Sequence, residues 1–132
     1  MKGAAFLLLL GLPQAGLAEG ARLDLDCRTV TRCNAAGACA PATGTTRFAI
    51  EPETLDQDGM GLFTLWQDDD AAQLAQGASR LGPFLWEPVA GTRTSLALSG
   101  EGSAVLIRQS AGTTAGPDTG AEIDLMTCEV TF

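Results

Sequence analysis

The chain predicts an all-β protein, a small antiparallel β-barrel or sandwich of about seven to eight strands, stapled by disulfides and with room for one short helix. Three observations lead there. Short apolar runs with period-two alternation recur along the chain, Gly, Pro, Asp and Ser punctuate them, and four cysteines are available for bridging.

Arg22 to Thr31 alternates Leu23, Leu25 and Cys27 with Arg22, Asp24 and Asp26, giving one buried and one wet face. Thr45 to Ile50 carries Thr46, Phe48 and Ile50 in phase, Gly61 to Gln67 contains Leu62-Phe63-Thr64-Leu65-Trp66, and Pro83 to Glu87 puts Phe84 and Trp86 in phase. Thr94 to Leu98 and Ala104 to Gln109 read as a hairpin around Ser99-Gly100-Glu101-Gly102-Ser103. The final run is Glu122 to Phe132, whose alternation slips near Leu125-Met126, as a β-bulge would make it. Asp68 to Ser79 is the one helix candidate. Its three leading acids suit a helix N-terminus, Ala71, Ala72, Leu74 and Ala75 follow, and Gly77 would end it; the same stretch reads equally as a polar excursion between strands. Ala111 to Gly120, rich in Gly, Thr and Ala around Pro117, is the most loop-like stretch.

Residues 1–18 read as a signal peptide, leaving residues 19–132 as a single β domain. Lys2 supplies the positive end, Ala4 to Leu12 the apolar run, and Gly16-Leu17-Ala18 the small residues before a cut at Glu19. The apolar run is about half the ~20 residues that a spanning helix needs. The expectation is therefore a soluble periplasmic or secreted protein, with no membrane insertion once the signal is cleaved.

Lys2 is the only lysine, so residues 19–132 set seven arginines against sixteen acids. Such an acidic surface repels phosphate backbones and anionic headgroups, which makes nucleic acid a poor partner. A small ligand or another envelope protein fits better.

An even cysteine count in an exported chain implies a disulfide framework. Cys27, Cys33 and Cys39 are each separated by five residues, wider than zinc-ligand spacing, and the chain has no histidine to help. The expected pairs are Cys33–Cys39, closing a turn through Asn34-Ala35-Ala36-Gly37, and Cys27–Cys128, joining the first and last strand-like segments. A closed barrel suits the second pair, because it makes those segments neighbours.

The same inventory removes most catalytic chemistry. Without histidine there is no Ser-His-Asp triad or His-metal site, and bonded cysteines are not nucleophiles. Carboxylate pairs remain, as in glycoside hydrolysis, but sixteen acids make some close pair inevitable. Thr54-Leu55-Asp56-Gln57-Asp58-Gly59 matches a calcium loop at its third, fifth and sixth positions, yet Thr54 and Leu65 stand where the end ligands belong. The expectation is no metal, no cofactor and no catalytic residue.

Two surfaces remain as candidates. Trp66 and Trp86 could line a ligand pocket at a barrel mouth. Ser99-Gly100-Glu101-Gly102-Ser103-Ala104 resembles a local motif of bacterial periplasmic inhibitors of c-type lysozyme, which are small disulfide-bearing β-barrels. That resemblance covers about six residues; Val105 stands where the motif carries a tyrosine, and no lysine follows. It implies a partner loop at Ser99, Gly100 and Gly102 that would enter a hydrolase cleft. The leading expectation is a non-catalytic binding or structural module of the bacterial envelope, and the alternative is a hydrolase inhibitor.

Overall fold

The computed structural model describes residues 21–110 and 120–132. The expected signal peptide, and all of the Ala111 to Gly120 stretch except Gly120, lie outside the described residues. Nine strands run in chain order: β1 (Leu23–Asn34), β2 (Cys39–Pro41), β3 (Thr45–Leu55), β4 (Gly61–Gln67), β5 (Gln73–Gly77), β6 (Phe84–Trp86), β7 (Thr92–Ser99), β8 (Ser103–Ser110) and β9 (Ala121–Thr131). Every pairing is antiparallel, and β1 pairs with both β3 and β9. Eight strands thus close an up-and-down barrel, with β2 added along the upper part of β1. Closure selects the barrel over the sandwich.

Alternation determines what each strand buries. Leu23 and Leu25 on β1, Phe48 and Ile50 on β3, Phe63 and Leu65 on β4, Phe84 and Trp86 on β6, Leu96 on β7, Leu106 on β8 and Met126 on β9 all point inward and meet in one core. The rings of Phe63 and Phe84 pack edge to face with centroids 5.0 Å apart. Such aromatic contacts add about 0.5–1.5 kcal/mol to the area they bury.

Of the two readings open for Asp68 to Ser79, the helix does not form. Asp68, Asp69 and Asp70 make a turn, and Gln73–Gly77 is a strand of the barrel wall. Asp68 has φ 50°, accepts the Arg47 N–H on Oδ1 at 2.8 Å, and donates its own N–H to the Arg47 carbonyl at 2.8 Å. The acids close a turn against β3 instead of starting a helix. On β5 the inward residues are Ala75 and Gly77, small because Phe63 fills that space; a Cβ at Gly77 would lie 2.3 Å from that ring.

A second correction concerns the bulge. Inward positions on β9 keep strict phase at Asp124, Met126 and Cys128, so β9 is regular opposite β1. The irregularity lies on β1, where Thr29 pairs with Met126 and Thr31 with Leu125, leaving Val30 as the extra residue. A further shift between Pro52 and Thr54 lets β3 run on past Ile50.

Strand direction assigns the connections to two ends. The β1–β2, β2–β3, β4–β5, β6–β7 and β8–β9 connections lie at the upper end, and the β3–β4, β5–β6 and β7–β8 turns at the lower end.

Candidate functional site

The barrel interior changes character from bottom to top. Inward residues at the lower end and middle are apolar: Cys27 on β1, Leu96 on β7, Ala104 and Leu106 on β8, and Met126 on β9. Above them come Thr94 on β7, Arg108 on β8, Asp124 and Glu122 on β9, and Arg32 on β1. The register places them in two stacked rows. Leu106, Asp124 and Arg32 are cross-strand neighbours, and so are Thr94, Arg108 and Glu122. Arg32 reaches this position because the Val30 bulge sets two outward residues, Val30 and Thr31, before it.

Asp124 is 1% exposed and carries the network. Its Oδ1 accepts from Arg32 Nε at 2.6 Å, and its Oδ2 from Arg32 Nη2 at 3.1 Å and Arg108 Nη1 at 2.8 Å. Glu122 Oε1 accepts from Arg108 Nη1 at 2.8 Å and lies 3.6 Å from Arg32 Nε. Burial pushes the Asp124 carboxyl toward its neutral form, but hydrogen bonds from Arg32 and Arg108 and their charges outweigh it. The carboxyl is held below its ordinary value, and the Arg32 guanidinium is raised above its own by the hydrogen bond to Asp124. No buried side-chain polar atom among the described residues lacks a partner.

Above this layer the barrel opens into a cleft of about 940 Å³, bounded by the β1–β2 hairpin, the β6–β7 loop and the tops of β7, β8 and β9. The hairpin wall is fixed by the Cys33–Cys39 disulfide and by Asn34, whose Oδ1 accepts the N–H groups of Ala36 and Ala38. The opposite wall is pinned by Thr92, whose hydroxyl donates to the Val89 carbonyl at 2.6 Å. Arg32 and Arg108 keep 46% and 35% of their side-chain surface exposed toward this opening. The arrangement presents two guanidinium groups at fixed positions beneath a cleft of mixed polarity.

The structure distributes the sequence-predicted residues over several places. All four cysteines are bonded, Cys27 to Cys128 and Cys33 to Cys39. Trp86 points into the core, while Trp66 lies on the outer face of β4 with the Arg22 guanidinium 5.6 Å above its ring. The two tryptophans stand on opposite sides of the wall and line no common pocket. Ser99, Gly100 and Gly102 form the tip of the β7–β8 hairpin at the lower end, far along the barrel from the cleft. Gly102 has φ 77°, and its carbonyl accepts the Cys128 N–H at 2.6 Å, so the tip is clamped against β9. In the acidic turn, Asp56 Oδ1 accepts from the N–H groups of Asp58 and Met60 at 2.9 Å each. That carboxylate is committed to its own turn. Among the described residues no group of three or more His, Cys, Asp or Glu side chains is placed to hold a metal ion.

Sequence reading alone missed Arg32, Arg108, Glu122 and Asp124 as a site. Arg108 follows Ala104 and Leu106 in phase, and Asp124 precedes Met126 in phase. Polar residues in the buried phase of two adjacent strands were the available signal. No protein-family model matches the chain, and no curated protein or solved structure matches it.

Proposed function

We propose that this is an exported, non-catalytic binding module that takes a small molecule in the upper mouth of its barrel, in the periplasm or outside the cell. One observation carries the reading: the buried Asp124 holds two half-exposed guanidinium groups at the base of an open cleft. Arginines held in this way recognise ligands. The chemistry of the layer supports binding over catalysis, because both Asp124 oxygens already accept from guanidinium groups and neither is free to take a proton from a substrate. Two disulfides support an oxidising compartment. The apolar side of the barrel faces inward, the reverse of an outer-membrane barrel, which supports a protein that is not inserted in a membrane.

A melting-temperature screen of the protein against a small-metabolite panel tests the reading. A ligand that binds only the native state at a hundredfold excess over its Kd adds about 2.7 kcal/mol of stability. At least one compound should raise the melting temperature of the protein and fail to do so for Arg108→Gln. A panel without effect, or shifts that persist in Arg108→Gln, would contradict it.

The alternative, an inhibitor of a secreted or periplasmic hydrolase, draws support from the hairpin tip. Ser99, Gly100, Glu101 and Ser103 are exposed, and the tip is held by the Gly102–Cys128 hydrogen bond beside the Cys27–Cys128 bridge. This site lies at the other end of the barrel. Substitutions at Gly100 or Glu101 that abolish inhibition of a hydrolase while leaving ligand-induced melting shifts intact would select it.

A further inference from the structure

We infer that the mouth takes a small organic monocarboxylate, whose carboxylate group replaces that of Glu122 across Arg108 and Arg32. The inference rests on the mouth being the binding site. The two acids of the layer are held very differently. Asp124 is buried and accepts three hydrogen bonds through both oxygens. Glu122 is 45% exposed and reaches the guanidinium groups through Oε1 alone, with one short and one long contact. Asp124 is therefore a fixed member of the site, and Glu122 a carboxylate that can leave it.

Charge selects a single carboxylate. With Glu122 in place, two arginines balance two acids. With Glu122 turned out to solvent, the layer carries one uncompensated positive charge, which one carboxylate neutralises. Arg108 Nε and Nη2 and Arg32 Nη1 have no side-chain or backbone acceptor among the described residues, so an incoming carboxylate finds unused donors on both guanidinium groups. A dianion such as phosphate would leave an excess negative charge in a layer that one carboxylate already neutralises, in a protein of net charge −8. The walls above the arginines supply apolar surface from Ala35, Ala38, Pro41 and Val89, against which an aliphatic or aromatic body can lie. The cleft volume of about 940 Å³ is at the upper end of the range for small-molecule sites.

Calorimetric titration with benzoate, hexanoate, benzamide and inorganic phosphate tests this. Benzoate or hexanoate should bind saturably, benzamide and phosphate should not, and Arg108→Gln should weaken the acid by about tenfold or more, the worth of a hydrogen bond to a charged group. Glu122→Gln removes the internal competitor without removing a donor and should tighten the acid about two- to fivefold, the worth of a half-exposed ion pair. Circular dichroism and melting curves of both variants establish that they are folded. Benzamide matching benzoate, phosphate binding in preference to both acids, no saturable binding by either acid, or an unchanged affinity in Glu122→Gln would each overturn the inference. A probe that binds but is not weakened by Arg108→Gln would overturn the mouth reading itself.

Discussion

Asp124 is a full negative charge inside a β-barrel, and two arginines keep it there. Its partners stay partly in solvent and Glu122 remains beside them, so removing Asp124 costs the lost charge-assisted hydrogen bonds, about 2–3 kcal/mol, and not the full cost of a stranded buried charge. Asp124→Ala should lose that much in a urea melt at neutral pH. The folded carboxyl lies below its ordinary value of about 3.9, so it contributes its full stabilisation above that pH. As pH falls through the ordinary value toward the depressed one, the unfolded chain takes up the proton first and the contribution is lost. Melting temperatures measured down that range should fall less steeply in Asp124→Asn than in the parent; equal slopes would contradict the assignment. The tryptophans make a second contrast. Trp86 is core, and Trp86→Ala should cost about 3–5 kcal/mol. Trp66 is half-buried on the outer face beneath Arg22, so Trp66→Ala should cost less, about 1–2 kcal/mol. Comparable losses would mean that the two residues do not lie on opposite faces.

The elements that the sequence made legible are those with large inward side chains in phase. Leu23-Leu25-Cys27, Phe63-Leu65 and Phe84-Trp86 each declare a buried face. β5 does not, because its inward residues are Ala75 and Gly77 and its one large apolar side chain, Leu74, points outward. That placement left a helix-like composition over a strand. β2 is three exposed residues, too short to show a period. Arg32 was hidden for a different reason: strict alternation from Leu23 would send it outward, and only the extra residue at Val30 turns it in. The bulge makes an unusual expectation. Deleting Val30 removes the residue that has no partner on β9 and leaves Arg32 opposite Asp124, so the variant should keep a cooperative melt and its sensitivity to Asp124→Asn. Deleting Arg28, two positions earlier, puts Leu23, Leu25 and Cys27 out of phase with the rest of β1 and should prevent folding. Equal tolerance of both deletions would show that the register does not control the interior.

Across the whole molecule, closure is the organising fact. The β1–β9 pairing closes the eight-strand barrel, leaving the short β2 as its one edge strand among the described residues, and the Cys27–Cys128 bridge, with a sequence separation of 101, crosses that seam. By the loop-entropy model a closure of that length stabilises by about 4–5 kcal/mol, against roughly 2 for the short Cys33–Cys39 loop. Cys27→Ser with Cys128→Ser should therefore lower stability more than Cys33→Ser with Cys39→Ser, and the second pair should act chiefly on the cleft wall. The reverse order would contradict this account of the seam. Thiol pairing and the all-β class could be read from composition and periodicity, whereas barrel rather than sandwich is decided by the β1–β9 pairing. The mouth could not be read in that way, since it is made where three strands meet in register. Mapping amide chemical shifts of the isotope-labelled protein during a titration with benzoate tests the binding account most directly. The account predicts that the largest shifts cluster at Arg32 and Cys33, Thr94, Arg108 and Gln109, and Glu122 to Asp124. Shifts centred on Ser99 to Ser103, or on the outer face around Trp66, would contradict it.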